Sequence, residues 1–113
     1  MRQGEVWMVA LPLASGGREQ SGTRPAVVLQ DEIYGQGSPL VLIALLTSQL
    51  GALRFPATLR VEPSAENGLS QPSVAMVFQT RALDRNRFVR QLGKLSDADL
   101  QAVLEELRKL SGL

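Results

Sequence analysis

Arg54-Phe55-Pro56-Ala57-Thr58-Leu59-Arg60-Val61-Glu62 alternates between two kinds of side chain. Phe55, Ala57, Leu59 and Val61 fall on one side, and Arg54, Pro56, Thr58, Arg60 and Glu62 on the other. That two-residue period predicts a strand with one core face and one wet face, as antiparallel sheets allow. Pro56 has no N–H to give to a ladder, so the strand is expected to have a free edge there. The flanking segments read the same way. Glu5 to Leu11 predicts a strand ended by Pro12. Pro25 to Gln30 and Leu40 to Leu46 are nearly continuous apolar runs with β-branched residues, short enough to be buried strands rather than helices. Gly35, Gly37 and Pro39 mark the connection between them. Leu13 to Thr23, rich in Gly and Ser, reads as a loop, Pro63 to Pro72 as a turn region and Ser73 to Phe78 as a further apolar strand.

After Phe78 the period changes from two to 3.6. Asp84 is placed to cap a helix of one to two turns through Leu92, stopped by Gly93. Ser96 is placed to cap a longer helix whose stripe is Leu100, Val103, Leu104, Leu107 and Leu110, with Gly112 past its end. Such a stripe fits core packing or a dimer seam. Five short, mostly antiparallel strands with a terminal helix predict a mainly β fold with a C-terminal helix, a small curled sheet or SH3-like barrel. The length of 113 residues, without internal repeats, predicts a single domain over 1–113.

Composition narrows the chemistry. There is no cysteine and no histidine. Thiolate zinc sites, iron–sulfur clusters, cysteine nucleophiles, histidine triads and paired-histidine ribonuclease chemistry are thereby excluded. Any catalysis falls to Arg, Lys, carboxylates, Ser/Thr, the one Tyr and the backbone. The net charge of +1 does not announce a nucleic-acid binder, but ten of the 12 basic residues are arginine, whose planar fork suits phosphate. Arg81, Arg85, Arg87, Arg90 and Lys94 stand close together with only Asp84 among them, while Asp97, Asp99, Glu105 and Glu106 crowd the tail. This is either a solvated helical face or a phosphate-facing patch. No apolar run of signal-peptide or membrane-spanning length follows Met1, and Leu40 to Leu46 is too short to cross a bilayer, so a cytoplasmic address is expected.

Three segments place polar groups where strands begin or end. Arg24, in Glu19-Gln20-Ser21-Gly22-Thr23-Arg24-Pro25, sits where a glycine-rich loop enters an apolar strand; it is either a charged strand start paired with Glu19 or a cation at the mouth of a concavity. Leu46-Thr47-Ser48-Gln49 puts two hydroxyls and an amide at a strand end, for turn bonding or for a ligand. Gln79-Thr80-Arg81 follows the strand Ser73 to Phe78.

In their order these segments resemble the MazF/PemK family of toxin endoribonucleases. The resemblance is carried by Gly4-Glu5-Val6-Trp7, Glu19-Gln20-x-Gly22-x-Arg24-Pro25, Leu46-Thr47-Ser48-Gln49, Phe55-Pro56-Ala57-Thr58, Asn67-Gly68-Leu69, Gln79-Thr80-Arg81-Ala82-Leu83-Asp84 and Gly93-Lys94-Leu95-Ser96. It spans practically the whole chain. It implies a homodimer of SH3-like barrels that cuts single-stranded RNA at short sequences without metal or cofactor, leaving a 2′,3′-cyclic phosphate and a 5′-hydroxyl. It also implies an antitoxin whose acidic, extended C-terminal segment covers the RNA groove. The family's catalytic arginine falls on Arg24 and its catalytic threonine on Thr47; RNA contacts are expected from Glu19, Gln20, Thr23, Ser48, Gln49, Phe55, Phe78, Gln79 and Arg81. Some members carry an acid where this chain has Phe78, which can stack a base instead, and Asp31 stands where Asn is common. Two other readings share the fold: a gyrase-binding toxin of the CcdB branch, and a relative that binds RNA or antitoxin without cutting.

Overall fold

A computed structural model describes residues 1–12 and 22–113. The strands are β1 (Glu5–Leu11), β2 (Gly22–Val28), β3 (Leu40–Thr47), β4 (Thr58–Val61), β5 (Ser73–Asp84) and β6 (Phe88–Lys94). They form one six-stranded sheet in the order β4-β5-β3-β2-β1-β6, with every pairing antiparallel. Two helices accompany it, the single turn α1 (Glu32–Gly35) and the 15-residue α2 (Asp97–Ser111). The fold is mainly β with a C-terminal helix, as the sequence predicts.

The apolar runs of β2 and β3 are buried because the curled sheet carries apolar residues on both faces. Val6, Val27, Leu46, Val77 and Leu95 lie on the face covered by α2, where Val103 is fully buried and Leu100 and Leu107 pack against them. Val9, Ala26, Val28, Ile43 and Met76 lie on the other face, with Trp7 and Phe88 at its rim in an edge-to-face contact 5.8 Å between centroids. Helix α2 starts where Ser96 Oγ accepts from Asp99 N–H. It ends where Gly112, at φ 77°, donates to the Arg108 and Lys109 carbonyls. Acids in its first turn and bases in its last oppose the macrodipole favourably. Leu110, at the far end of the stripe, is about half exposed, so the core contact stops at Leu107.

The outer strands β4 and β6 do not pair with each other. The connection between β4 and β5 crosses to β6 instead: Lys94 N–H donates to the Glu66 carbonyl at 2.9 Å. The crossing is close enough that a Cβ on Gly93 would stand 2.1 Å from Glu66 O, and one on Gly68 would stand 2.1 Å from Leu92 O. Only glycine fits at either position. Asn67, 2% exposed, holds the connection in shape. Its Oδ1 accepts from Ser64 N and Leu69 N, its Nδ2 donates to Glu62 O, and its N–H donates to Ser64 Oγ. Asn67-Gly68-Leu69 is thus an architectural motif that fastens one end of the sheet to the other.

Five readings need correction. Asp84 does cap, accepting from Asn86 N, but only the 3-10 turn Arg85–Arg87; Phe88 to Leu92 is extended. Pairing with β1, from Glu5↔Lys94 to Val9↔Phe88, overrides the helical period, and two register shifts in that ladder blur the strand alternation. The strand count is therefore six, and Gly93 serves the crossing rather than stopping a helix. The stretch Arg54 to Glu62 is a strand only over Thr58–Val61, because Ala57 takes φ 57° and Leu50–Arg54 forms a 3-10 turn; β4 is nonetheless an edge strand. Strand β5 runs on through Gln79-Thr80-Arg81 to Asp84. Helix α1, begun by Asp31 accepting from Ile33 N, had no expected counterpart.

Substitution of Gly93 by Ala is expected to destabilise the chain by about 1–3 kcal/mol, the usual range for an overpacked site. Urea unfolding of wild type and Gly93→Ala measures this, and a midpoint within error of wild type would show that the crossing is not tight.

Candidate active site

The β2–β3 ladder pairs Ala26 with Leu45, Val27 with Ala44 and Val28 with Ile43. The ladder ends at that first pair; Arg24 lies two residues before Ala26 on β2, and Thr47 two residues after Leu45, at the end of β3. By alternation Arg24 shares a face with Ala26 and Val28, and Thr47 shares it with Leu45 and Ile43, the face opposite α2. Both residues line a cleft of about 490 Å³ at these strand ends.

Thr47 is only 8% exposed. Its Oγ1 accepts from the Gln49 N–H at 3.2 Å, which turns the chain out of β3 and leaves the hydroxyl proton free to donate. Arg24 is half-buried and makes no ion pair among the described residues. Thr23, Ser48 and Gln49 complete this side of the cleft. The rest of the lining comes from Leu69, Ser70 and Gln71 of the crossing connection, Ser73 at the start of β5 beside Thr47, and Arg90 and Leu92 of β6. No carboxylate is among the described lining residues, and no group of three acidic side chains among the described residues could hold a metal ion.

The other expected contacts lie elsewhere. Phe55 and Phe78 do not line the cleft but pack on each other, centroids 5.4 Å apart, with the Arg54 guanidinium 4.6 Å from the Phe55 centroid. Both rings remain exposed, so they form a cation-capped aromatic patch beyond the 3-10 turn that starts after Gln49. Gln79 and Arg81 hold each other side chain to side chain at 3.3 Å and also stand outside the cleft. Glu19 and Gln20 fall outside the described residues.

The arginine run divides by use. The Arg85 guanidinium donates to the Ser38 carbonyl at 2.7 Å and to the Gly35 carbonyl, tying α1 to the end of β5. It is a structural residue. Arg90 alone of the run reaches the cleft. Reading Phe88 to Leu92 as helix hid this; strand pairing with Met8, itself a lining residue, would have placed Arg90 there. The tail acids are largely answered on α2 itself, Glu105 by Arg108 and Glu106 by Lys109, each at 2.7 Å. The hydrogen bond from Arg108 holds the Glu105 carboxyl below its ordinary range.

Residues 2–111 match the family described as PemK-like, MazF-like toxin of type II toxin-antitoxin system. The Endoribonuclease MazF of Staphylococcus saprophyticus is 34% identical over 103 residues, covering 91% of this chain and 84% of its own. The crystal structure of a MazE-MazF complex from Deinococcus radiodurans superposes with a TM-score of 0.72 at 28% identity, over 99% of this chain and 95% of that one. The Mycobacterium tuberculosis toxin MazF-mt6, 23% identical, shares the fold with a TM-score of 0.76 over 96% of this chain and 97% of its own. The chain belongs to the PemK-like, MazF-like family of toxins of type II toxin-antitoxin systems.

Proposed function

We propose that this chain is a metal-independent endoribonuclease, the toxin of a toxin–antitoxin pair, and that it cuts single-stranded messenger RNA in the cytoplasm and so stops translation. The observation that carries the reading is that Arg24 and Thr47 line one cleft, with no carboxylate among its described lining residues. A carboxylate-free wall with a guanidinium suits a phosphodiester, because the anion meets a cation without like-charge repulsion. The protein lacks histidine and cysteine, and, as the family resemblance implies, RNA supplies the nucleophile. The 2′-oxygen attacks the adjacent phosphorus, the P–O5′ bond breaks, and the products carry a 2′,3′-cyclic phosphate and a 5′-hydroxyl.

In that step Arg24, remaining a guanidinium, neutralises the charge that grows on the phosphorane and hydrogen-bonds the departing 5′-oxygen; the proton lost by the 2′-OH and the one gained by the 5′-oxygen pass through solvent. Thr47 donates its hydroxyl proton in a hydrogen bond to a nonbridging oxygen. Donors fixed by a strand end need little reorganisation as charge develops, which is where such stabilisation is largest. A guanidinium stays protonated near neutral pH, so removal of the 2′-OH proton belongs to neither residue. Thr23, Ser48 and Gln49 would contact the flanking nucleotides, Phe55 and Phe78 would stack a base beyond the cleft, and Glu19, Gln20, Gln79 and Arg81 complete the proposed RNA-binding set. The active unit is a homodimer, each chain one toxin domain. No described helix is long and apolar enough to cross a membrane.

A MazE-MazF complex among the structural relatives supports an antitoxin partner. An acidic, extended segment would compete with RNA, because one basic groove serves either polyanion.

With mixed-sequence RNA in EDTA, Arg24→Ala is expected to lower kcat by at least 100-fold, in line with loss of a preorganised donor. Thr47→Val should lower it by at least 10-fold. Cleavage by Arg24→Ala at the wild-type rate, or none by wild type, contradicts the reading. In a binding titration, a peptide of the antitoxin's acidic segment is expected to displace a fluorescent RNA oligonucleotide completely. A ternary complex at saturation of both ligands would place them on separate sites.

A further inference from the structure

The described arginines can be sorted by what already satisfies them. Arg2, Arg60 and Arg108 pair with acids, Arg85 with backbone carbonyls, Arg54 with the Phe55 ring and Arg81 with Gln79. Of the rest, Arg24 and Arg90 line the cleft. Arg90 is exposed and makes no ion pair or hydrogen bond from its side chain among the described residues. It comes from β6 and Arg24 from β2, with β1 between them; Met8↔Arg90 and Val9↔Arg24 assign the two to opposite faces by alternation, and they come together at the cleft that both line. Two strand spacings separate their backbones by about 10 Å. The crossing connection sets Ser70 and Gln71 on Arg90's side of the cleft, held there by the Asn67 bonds and the Lys94–Glu66 contact.

We infer that Arg90 forms a second phosphate subsite, which takes a phosphate of the RNA strand neighbouring the scissile one and so sets the register in which the strand crosses Arg24 and Thr47. The inference rests on the endoribonuclease reading for the identity of the polyanion. Arg90 is a positioning residue: it touches the strand but not the reacting atoms. A second phosphate contact two strand spacings from the first holds the strand at two points, and two points fix direction and register where one leaves the strand free to pivot.

The test measures binding and cleavage separately for wild type, Arg90→Ala and Arg90→Lys, each checked for folding by circular dichroism. Binding uses a fluorescent 2′-O-methyl RNA 12-mer of mixed sequence, which has no free 2′-OH to react. Arg90→Ala is expected to weaken binding about five- to tenfold, as for loss of one charged hydrogen-bonding contact. It should also reduce the slope of log affinity against log salt by about 0.7, one phosphate's share for a single strand. Arg90→Lys should restore the salt slope. In cleavage of mixed-sequence RNA by Arg90→Ala, KM is expected to rise by more than kcat falls. Unchanged affinity and salt slope in Arg90→Ala would overturn the subsite, as would a fall in kcat with KM unchanged. Should wild type bind the 12-mer but cut no RNA, the salt slope of Arg90→Ala still decides the subsite, and only the catalytic reading fails.

Discussion

The site depends on the register between β2 and β3. Ala26, Val27 and Val28 face Leu45, Ala44 and Ile43 across that ladder, and all six are buried, divided between the two faces of the sheet. A slip of one residue would carry each side chain to the opposite face. The apolar core therefore fixes the register, and Arg24 and Thr47, each two residues beyond the end of that ladder, line one cleft. Hydrophobic burial, which has no direction of its own, thus positions two polar groups by way of the strict two-residue period of a strand.

The other wall of the cleft depends on a different constraint. The sheet's edges are too far apart in its order to pair, and the connection from β4 to β5 bridges them only because Gly68 and Gly93 let two backbones touch. Asn67 satisfies the polar groups that this bridge would otherwise bury unpaired. The result is a cleft with one wall set by a ladder and one by a bridge, and an arginine on each side.

The sequence made legible what local chemistry or continuous burial determines. β1 and β3 announce themselves as apolar runs, and α2 shows its Ser96 cap, its stripe and its Gly112 stop, each a short-range signal. β6 was hidden because its partner β1 lies more than 70 residues away along the chain, its ladder is irregular, and Asp84 supplies a real cap for a turn that goes no further. Phe55 and Pro56 fit the alternation of β4 but lie before Ala57, whose left-handed backbone separates them from the strand. Arg24 and Thr47 could be found because each sits at the end of a legible strand. Arg90 could not, since a misread element gives no face, and Phe55 and Phe78 could be found as aromatics but not as partners of one another.

The absence of histidine and cysteine shapes the chemistry more than the near-neutral charge does. Glu105 and Glu106 are paired on α2, and no carboxylate is among the described residues that line the cleft. The account makes the substrate's 2′-hydroxyl, not a side chain, the nucleophile. The most direct measurement compares an RNA oligonucleotide cut by the wild-type protein in EDTA with the same oligonucleotide bearing a single 2′-deoxy substitution at the cut nucleotide. The account predicts that the substituted strand resists cleavage yet inhibits cutting of the unmodified one, and that the unmodified product ends in a 2′,3′-cyclic phosphate. Cleavage of the 2′-deoxy strand at the same bond would contradict it.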